Sequence, residues 1–216
     1  MDGTGHGASE APSGAVGLRE RKKLKTREAL EQAALELFEK QGFDGTTVEE
    51  IVEACDVSPR TFFRYFPTKE ALLLSDADEK CQLLVTGLLE RPAGESPLRS
   101  IRESLVENLA TLEHDRPRML LQSRIMAATP SLRTYKVERQ QSWEEAIFQA
   151  LLTREAAAPE SGHSTFELRL VASTAIAALR AAVETWLEDG GDVIALVDDA
   201  FARIAAGLDH TVALPR

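Results

Sequence analysis

The segment from residue 47 to residue 72 constrains the fold of this chain more than any other, because it predicts two short helices joined by a tight turn. Thr47, followed three residues later by Glu50, forms a capping box, and apolar residues then recur at helical spacing. Asp56 falls at the turn, where we expect a positive φ, which Gly, Asn and Asp tolerate most readily. The apolar face of the first short helix needs a core to pack against.

The second short helix has signals at both of its ends. Ser58 is a natural N-cap, and Pro59 behind it occupies the first helical position, where its missing N–H costs nothing. Pro67 ends the helix after roughly two turns, because the residue before a proline is pushed out of the α region. Phe62 and Phe66 share one face, which we expect to be buried. The outward residues are then Arg60, Thr61, Arg64 and Tyr65, with Phe63 between the two faces.

A helix that carries an arginine and a threonine at its exposed N-terminal end suits the major groove of DNA. Arginine can bond guanine O6 and N7 together, and the threonine methyl group can touch thymine. The alternative is an ordinary αα-hairpin with an aromatic core, which leaves the two outward arginines unexplained. The sequence therefore predicts DNA contacts from this region at Thr47, Ser58, Pro59, Arg60, Thr61, Phe63, Arg64, Tyr65 and Lys69.

The formal net charge of −10 opposes this interpretation, because phosphate contact depends on positive charge. The position of the basic residues resolves the conflict. They cluster at the start of the first predicted helix, whereas the acidic surplus lies mostly elsewhere, which leaves a local basic surface. A solvated helix start is the alternative. We expect phosphate contacts from Lys22, Lys23 and Lys25, with Arg19, Arg21 and Arg27 beside them.

With these residues, the region from 21 to 72 resembles the DNA-binding domain of the TetR family of transcriptional regulators. Two positions depart from the family pattern: Asp56 replaces the usual turn glycine, and Phe63 stands where tyrosine is more common. The second change removes a hydroxyl that in relatives can touch a phosphate. The matching residues are Thr46, Thr47, Val48, Ile51, Val57, Ser58 and the run Phe66-Pro67-Thr68-Lys69-Glu70-Ala71-Leu72.

Helical periodicity continues through the rest of the chain and predicts an all-α protein. Residues 1–18, which are rich in Gly, Ala and Ser, are expected to form a flexible tail. Residues 19–68 are expected to form a three-helix helix-turn-helix domain, and residues 69–212 a helical ligand-binding and dimerisation domain. Leucines on both sides of Ala77 predict one long connecting helix, broken near Pro92. Further helices are expected over 97–113, 117–127, 131–154, 166–187 and 192–207.

Residues 171–183 are crowded with small side chains, which allow another helix to approach closely. Together with the last helix, this segment is expected to form half of a four-helix interface with a second copy. The alternative is packing within one subunit. The TetR resemblance favours the homodimer, because members of that family dimerise through their last two helices.

No constellation of catalytic or metal-ligating residues stands out. The histidines at 6, 114, 163 and 210 are isolated from one another, and Cys55 and Cys81 fit buried thiols in a reducing compartment. We expect no cofactor, no enzymatic activity, no apolar run long enough to cross a membrane, and a cytoplasmic location. The alternative class is a helical enzyme or carrier whose N-terminal hairpin binds protein, and a paired histidine and carboxylate in an apolar pocket would favour it.

TetR-like regulators usually hold a small molecule in their second domain. Residues 130–208 also resemble the C-terminal domains of regulators related to the mycofactocin-system regulator, which are described as binding acyl-CoA-like ligands. If this resemblance holds, Arg124, Arg133 or Arg180 could meet an anionic group of the ligand. The resemblance is carried by Pro130-Ser131-Leu132-Arg133, Trp143-Glu144-Glu145-Ala146, Ala177-Ala178-Leu179-Arg180 and Trp186-Leu187-Glu188-Asp189-Gly190-Gly191. The expected pocket residues are Met119, Met126, Tyr135, Trp143, Ile147, Phe148, Leu179 and Val183.

Overall fold

The computed structural model describes residues 14–75, 77–109 and 115–207, and in these ranges it contains ten α-helices and no strand. The all-α class predicted from the sequence is therefore confirmed. Two short 3₁₀ turns, at Pro130–Leu132 and Pro159–Ser161, come before and after α8. The helices are α1 (Gly14–Gln41), α2 (Val48–Ala54), α3 (Pro59–Tyr65), α4 (Lys69–Leu73), α5 (Ala77–Glu90), α6 (Pro97–Leu109), α7 (Arg116–Ala128), α8 (Arg133–Ala157), α9 (Thr165–Asp189) and α10 (Val193–Ala206).

The chain divides after Leu72 into two compact units. In the first unit α1 packs on α2, and α2 packs on α3. Aliphatic side chains from α1 and α2 meet phenylalanines from α3 and the neighbouring loops to form its core. The buried residues of this core include Leu30, Ala34, Leu35, Phe38, Phe43, Ile51, Val52, Phe62 and Phe66.

The second unit is a helical bundle arranged around α9. This helix packs against α10, α8 and α6, while α5 packs against α6 and α8. Trp186 is the largest of its fully buried side chains. The end of α9 is fixed by Gly190 at φ 80°, and Asp192 caps α10 by accepting from the amides of Ile194 and Ala195. The expected end of α9 at 187 and start of α10 at 192 lie within two residues of the observed ones.

Two predicted boundaries were wrong. The helix α1 already begins at Gly14, inside the stretch expected to be a tail, and residues 1–13 lie outside the described residues. The expected long helix is two helices, α4 and α5, separated by a turn. The carbonyl of Leu74 accepts from the amide of Ala77, and α5 begins there with Asp78 and Glu79 in its first turn, where acidic side chains favour a new helix start.

The expectation that no apolar run could cross a membrane also needs correction for α9. Thr165–Asp189 is long and apolar enough by length and composition, with a mean hydropathy of 1.3 over its most apolar window. Its buried side chains, however, pack within the helical bundle, and 39% of that window is buried. Helices that pack in a protein core can also meet these criteria of length and composition, so one such helix is weak evidence for a membrane span.

Candidate nucleic-acid interface and ligand cavity

The turn between α2 and α3 is a Schellman motif, which fixes the direction in which α3 leaves. The amide of Val57 donates to the carbonyl of Val52 at 3.0 Å, and the amide of Asp56 donates to that of Glu53 at 3.1 Å. Asp56 has φ 52°, and it is the one non-glycine residue with a positive φ among the described residues. The positive φ predicted at this position is confirmed, and aspartate can adopt it at modest cost.

Both ends of α3 follow the sequence prediction. The Ser58 hydroxyl accepts from the amide of Thr61, and Pro59 takes the first helical position. Phe66 leaves the helix in an extended conformation just before Pro67. Because Phe62 is fully buried, the helix is rigidly seated on the core and has one defined outward face.

The outward face of α3 presents one cation, one aromatic ring and one paired arginine. Arg60 is exposed, and Phe63 exposes 56% of its surface while its ring packs edge-on against Phe62 at 5.3 Å. Arg64 is exposed and donates to the hydroxyl of Tyr65 at 3.1 Å. This arrangement can place a guanidinium and an apolar ring against the edges of bases.

Lys69 makes contacts within the protein that the sequence did not predict. Its ammonium group donates to the carbonyls of Phe43 at 2.6 Å and Thr46 at 2.7 Å, and it lies 4.1 Å from the centroid of the Phe43 ring. The two carbonyls and the ring all belong to the loop between α1 and α2, so this half-buried ammonium binds that loop. These contacts tie α4 to that loop and favour a structural role for Lys69, while its predicted DNA contact stays a prediction.

The remaining predicted DNA contacts lie at the start of α2 and within the first half of α1. Thr47 is the N-cap of α2, its hydroxyl accepting from the Glu50 amide, and the Glu50 carboxylate accepts from the Thr47 amide at 2.8 Å. That bond lowers the pKa of Glu50. On α1, Lys22, Lys23 and Lys25 are all exposed, and Lys23 lies 3.8 Å from Glu20. These three lysines are placed to meet a polyanion without losing any buried contact.

The second unit contains a partly open cavity of about 340 Å³, which is lined by Leu74 and by side chains from helices α5 to α9. Its walls are mainly apolar, and they come from helical stripes of i, i+3, i+4 and i+7 spacing, such as Lys136, Arg139, Gln140 and Trp143 on α8. The volume falls in the range typical of small-molecule sites. Other apolar wall residues are Leu84, Leu105, Leu109, Met119, Met126, Ile176, Leu179 and Val183.

Five of the eight predicted pocket residues lie on this wall, namely Met119, Met126, Trp143, Leu179 and Val183. Ile147 and Phe148 do not, because they lie a turn further along α8, where both are buried in the core. Tyr135 also lies off the wall, and the Arg139 guanidinium lies 5.8 Å from its ring centroid. Which wall residues contact a ligand stays a prediction.

Sequence reasoning named one of the four cations that line this cavity and missed the other three. Of the three arginines suggested for an anionic group, Arg180 lies on the wall, whereas Arg124 and Arg133 are exposed and do not line it. The wall also includes Lys80, Lys136 and Arg139, and Glu184 is its one acidic residue among the described residues. These cations could have been found by looking for basic residues at helical spacing from the predicted apolar wall residues, as Arg139 is from Trp143.

A second cavity, of about 420 Å³, lies beside the loop between α8 and α9 and contains a histidine and carboxylate pair. His163 Nδ1 lies 3.0 Å from Glu155 Oε2, and the same carboxylate accepts from the His163 amide and the Ser161 hydroxyl. These bonds lower the pKa of Glu155. These partners of Glu155, Ser161 and His163, belong to the loop between α8 and α9, so Glu155 holds that loop in place. The pair therefore does not favour the enzyme or carrier alternative.

The small side chains of α9 divide between two faces. Ala172, Ala175, Ala178 and Ala182 are buried inside the unit, and Phe201 of α10 is buried with them. On the opposite side Phe166 exposes 73% and Leu170 53% of their surfaces, followed along the helix by exposed Ala177 and Ala181. The small residues of α9 therefore pack partly inside the unit, and the exposed ones belong to a separate apolar face of the helix.

The two cysteines are free thiols. Cys81 is buried, and Cys55 is half-buried with its sulfur 3.3 Å from the carbonyl oxygen of Ala29. Burial raises the pKa of both thiols, which keeps them protonated and unreactive. Among the described residues no three histidine, cysteine or acidic side chains group as a metal site.

Comparison with known proteins finds a family match for each of the two units. Residues 31–75 match the model of the bacterial regulatory proteins of the tetR family, and residues 95–209, more than half of the chain, match that of the MftR C-terminal domain. The transcriptional regulator TcmR of Streptomyces glaucescens is 35% identical over 150 residues, which is 64% of this chain and 64% of that protein. A protein of Mycobacterium tuberculosis named as the mycofactocin biosynthesis transcriptional regulator MftR is 29% identical over 88% of this chain and 94% of its own length.

Solved structures share the fold. The fatty acid degradation regulator FadR of Bacillus halodurans has a TM-score of 0.58 at 19% identity, covering 86% of this chain and 97% of its own. Salmonella enterica GusR has a TM-score of 0.53 at 22% identity, covering 85% of this chain and 95% of its own. At these identities the likeness is one of architecture.

Proposed function

Because this chain belongs to the TetR family of bacterial transcriptional regulators, we propose that it binds a palindromic operator as a homodimer and represses transcription until a small molecule enters its second unit. It would act in the bacterial cytoplasm, where its operator lies. The enzyme or carrier alternative has no observation in its favour. The neighbouring genes would indicate which genes it controls and which promoter contains its operator.

The observation that carries the proposal is the outward face of α3. Arg60 and Phe63 lie on a helix that begins at the Ser58 cap. The buried Phe62 packs this helix on the core, and the turn at Asp56 sets the direction in which it leaves α2. Arg60 would read a guanine, while the exposed lysines of α1 would meet phosphates. Base contacts and phosphate contacts therefore come from different helices, so they can be tested separately.

The homodimer is supported by the exposed apolar face of α9. Phe166 and Leu170 lie four residues apart on one face of α9, and contiguous exposed apolar residues mark surfaces that bind a partner. Ala177 and Ala181 leave room for close approach of a second helix. The internal residues Ala178 and Phe201 belong to the fold of one subunit, so the interface would use their exposed neighbours on α9 and α10.

The effector is proposed to occupy the cavity of the second unit. The apolar walls suit a hydrophobic body, and the surplus of cations suits an anionic group, a combination that fits an acyl-CoA-like molecule. Release of the operator requires the effector to bind the DNA-incompetent conformation more tightly, with typical coupling of about 1–3 kcal/mol. The operator and the effector would then each lower the affinity of the protein for the other by the same factor.

The test is fluorescence anisotropy on labelled operator DNA at two salt concentrations. Arg60→Ala should cost roughly 1–3 kcal/mol and relax specificity at one symmetric position, whereas Lys23→Ala should weaken all sequences alike and flatten the salt dependence. If both variants bind like the wild type, this face does not read DNA. Addition of acyl-CoAs, free fatty acids and unrelated aromatic drugs tests release, and acyl-CoAs that leave the complex intact would contradict that ligand class.

A further inference from the structure

Three side-chain amides line the cavity of the second unit, and the fold uses two of them. Asn108 donates to a backbone carbonyl of its own helix at 2.7 Å. Gln140 donates to Glu144 at 2.9 Å, and its oxygen accepts from Arg180. The third amide, that of Gln122 on α7, has no hydrogen-bond partner among the described residues, although the residue is only 8% exposed. Because buried polar side chains are nearly always hydrogen-bonded, this amide is available for a partner from outside the fold.

The amide of Gln122 can be reached from the cavity. Among the described residues, one side-chain nitrogen or oxygen is both sealed from solvent and without a hydrogen bond, and it belongs to Arg139. The amide nitrogen and oxygen of Gln122 are unbonded but are not sealed in this way. Since the residue lines the cavity and is otherwise buried, the cavity is the space to which these two atoms are open. A molecule inside the cavity can therefore bond both of them.

Gln122 and Ser123 lie between two methionines on the cavity face of α7. Met119, Gln122, Ser123 and Met126 line the cavity at i, i+3, i+4 and i+7 spacing, so they share one face of the helix. Ser123 is half-buried, and its hydroxyl also has no partner among the residues that the structure describes. A polar group that is removed from water without a bond costs free energy, whereas a leucine or methionine in its place does not. A bound molecule explains this polar pair, and the packing of the helix does not.

Three charged residues of the wall lie at its exposed rim, whereas Gln122 lies in its buried part. Lys136, Arg180 and Glu184 are exposed, and Lys136 lies 3.5 Å from Glu184. Gln122 shares the buried part with apolar side chains such as that of Ile176. A neutral amide offers an acceptor oxygen and donor N–H groups, and it carries no charge to balance an ion. Its complement inside an apolar space is a neutral hydroxyl or oxo group.

We propose that Gln122 determines the specificity of the cavity by hydrogen bonding to a neutral hydroxyl or oxo group on the apolar body of the effector, with Ser123 beside it as a second contact. A plain alkyl body would leave the amide enclosed without a partner, which lowers affinity. The inference rests on the proposed function and narrows its ligand class, since an acyl-CoA-like effector would then carry a hydroxyl or oxo group on its acyl chain. Its tests use no DNA, so they succeed or fail independently of operator binding.

The first test measures the preference of the cavity for a hydroxyl group over a methyl group. 2-Naphthol and 2-methylnaphthalene have nearly the same shape and are both uncharged at neutral pH, and only the naphthol can bond an amide. Each is measured by its displacement of N-phenyl-1-naphthylamine, a dye whose place in the cavity is recognised by energy transfer from Trp143 that Trp143→Phe should diminish. The ratio of the two affinities in one variant does not depend on the affinity of the dye.

Gln122→Met removes the amide and keeps the length of the side chain. The ratio of naphthol affinity to methylnaphthalene affinity should fall about tenfold, because the hydrogen bond to the hydroxyl is lost and the methyl group no longer encloses a bare amide. Gln140→Met is the matched control, because it makes the same change on the same wall where the amide is already bonded to Glu144. It should keep the ratio within about twofold of the wild type. An unchanged ratio in Gln122→Met, or an equal fall in Gln140→Met, overturns the proposal.

The second test separates ligand binding from support of the fold. Gln122→Met breaks no hydrogen bond of the fold, so the melting temperature of the ligand-free protein should stay the same or rise. A fall of several degrees would show that the amide stabilises the protein itself, which contradicts the proposed role. A wild-type protein that binds neither compound in the cavity would remove both the effector site and the role of Gln122, whereas binding of both with an unchanged ratio in Gln122→Met removes only the latter.

Discussion

Replacing Lys69 by methionine tests whether this residue binds the protein or DNA. Methionine keeps most of the aliphatic volume and removes the ammonium, which donates to the carbonyls of Phe43 and Thr46. Hydrogen bonds to charged groups are worth about 1.5–3 kcal/mol each, and a cation over an aromatic ring adds about 0.5–1 kcal/mol. Since Lys69 is half-exposed and Phe43 keeps a second donor, the amide of Thr46, we take the lower values and expect a loss of about 3.5 kcal/mol.

A loss of this size is large for a unit that ends at Leu72, since small domains are stable by only a few kcal/mol. Hydrogen exchange of the buried amides of α1 and α2 should accelerate roughly three hundredfold in Lys69→Met, following the change in free energy of unfolding. The amides of α9, in the other unit, serve as the internal reference. Operator binding should weaken at every salt concentration, because less of the unit is folded.

Lys23→Met is the matched control, because Lys23 is exposed and its ion pair with Glu20 is too solvated to stabilise the fold appreciably. It should leave exchange unchanged and lower the slope of log affinity against log salt by about one. The reasoning about Lys69 is refuted if Lys69→Met exchanges like the wild type while its salt slope falls by about one. That pattern belongs to a phosphate contact.

Three further predictions follow from neighbouring features. Ala177→Glu, on the exposed face of α9, should stay folded but sediment as a monomer, whereas Ala178→Glu, next to it and 7% exposed, should unfold the second unit; a dimeric Ala177→Glu would contradict this interface. Asp56→Val should lower the free energy of unfolding in urea by about 1–2 kcal/mol, because a branched residue resists φ 52°, while Asp56→Gly should stay near the wild type. The pKa of Glu50 is lowered mainly by the Thr47 amide, so its stabilisation should be complete above its ordinary pKa of 4.5 and be lost as the pH falls through the lowered value. Glu50→Gln should remove that part of the acid transition.

Local signals were enough to predict the DNA-binding unit in detail. The capping box at Thr47, the positive φ at Asp56, the cap at Ser58 and the stop before Pro67 each depend on residues within a few positions. Backbone preferences of this kind act over one turn, so they can be seen in the sequence. The helical class and the outward face of α3 follow from the same signals.

Contacts between distant residues could not be predicted in this way. Lys69 reaches back 26 residues to Phe43, and Arg139 reaches back 65 residues to Leu74. Helical periodicity predicted a helix in place of α8, but it could not show where along the helix the cavity gives way to solid core, so Ile147 and Phe148, which were predicted to line the pocket, lie in the buried core instead. The break after α4 was hidden because leucines stand on both sides of it.

The most direct test of the central claim is selection of bound sequences from random double-stranded DNA by the purified chain. A dimer with two α3 helices should enrich an inverted repeat whose half-sites lie about one helical turn, roughly 34–36 Å, or a multiple of it apart. The same selection with Arg60→Ala should lose its preference at one symmetric base pair of the repeat and keep the others. No enriched sequence for the wild type, or an enriched sequence without two-fold symmetry, would contradict the account.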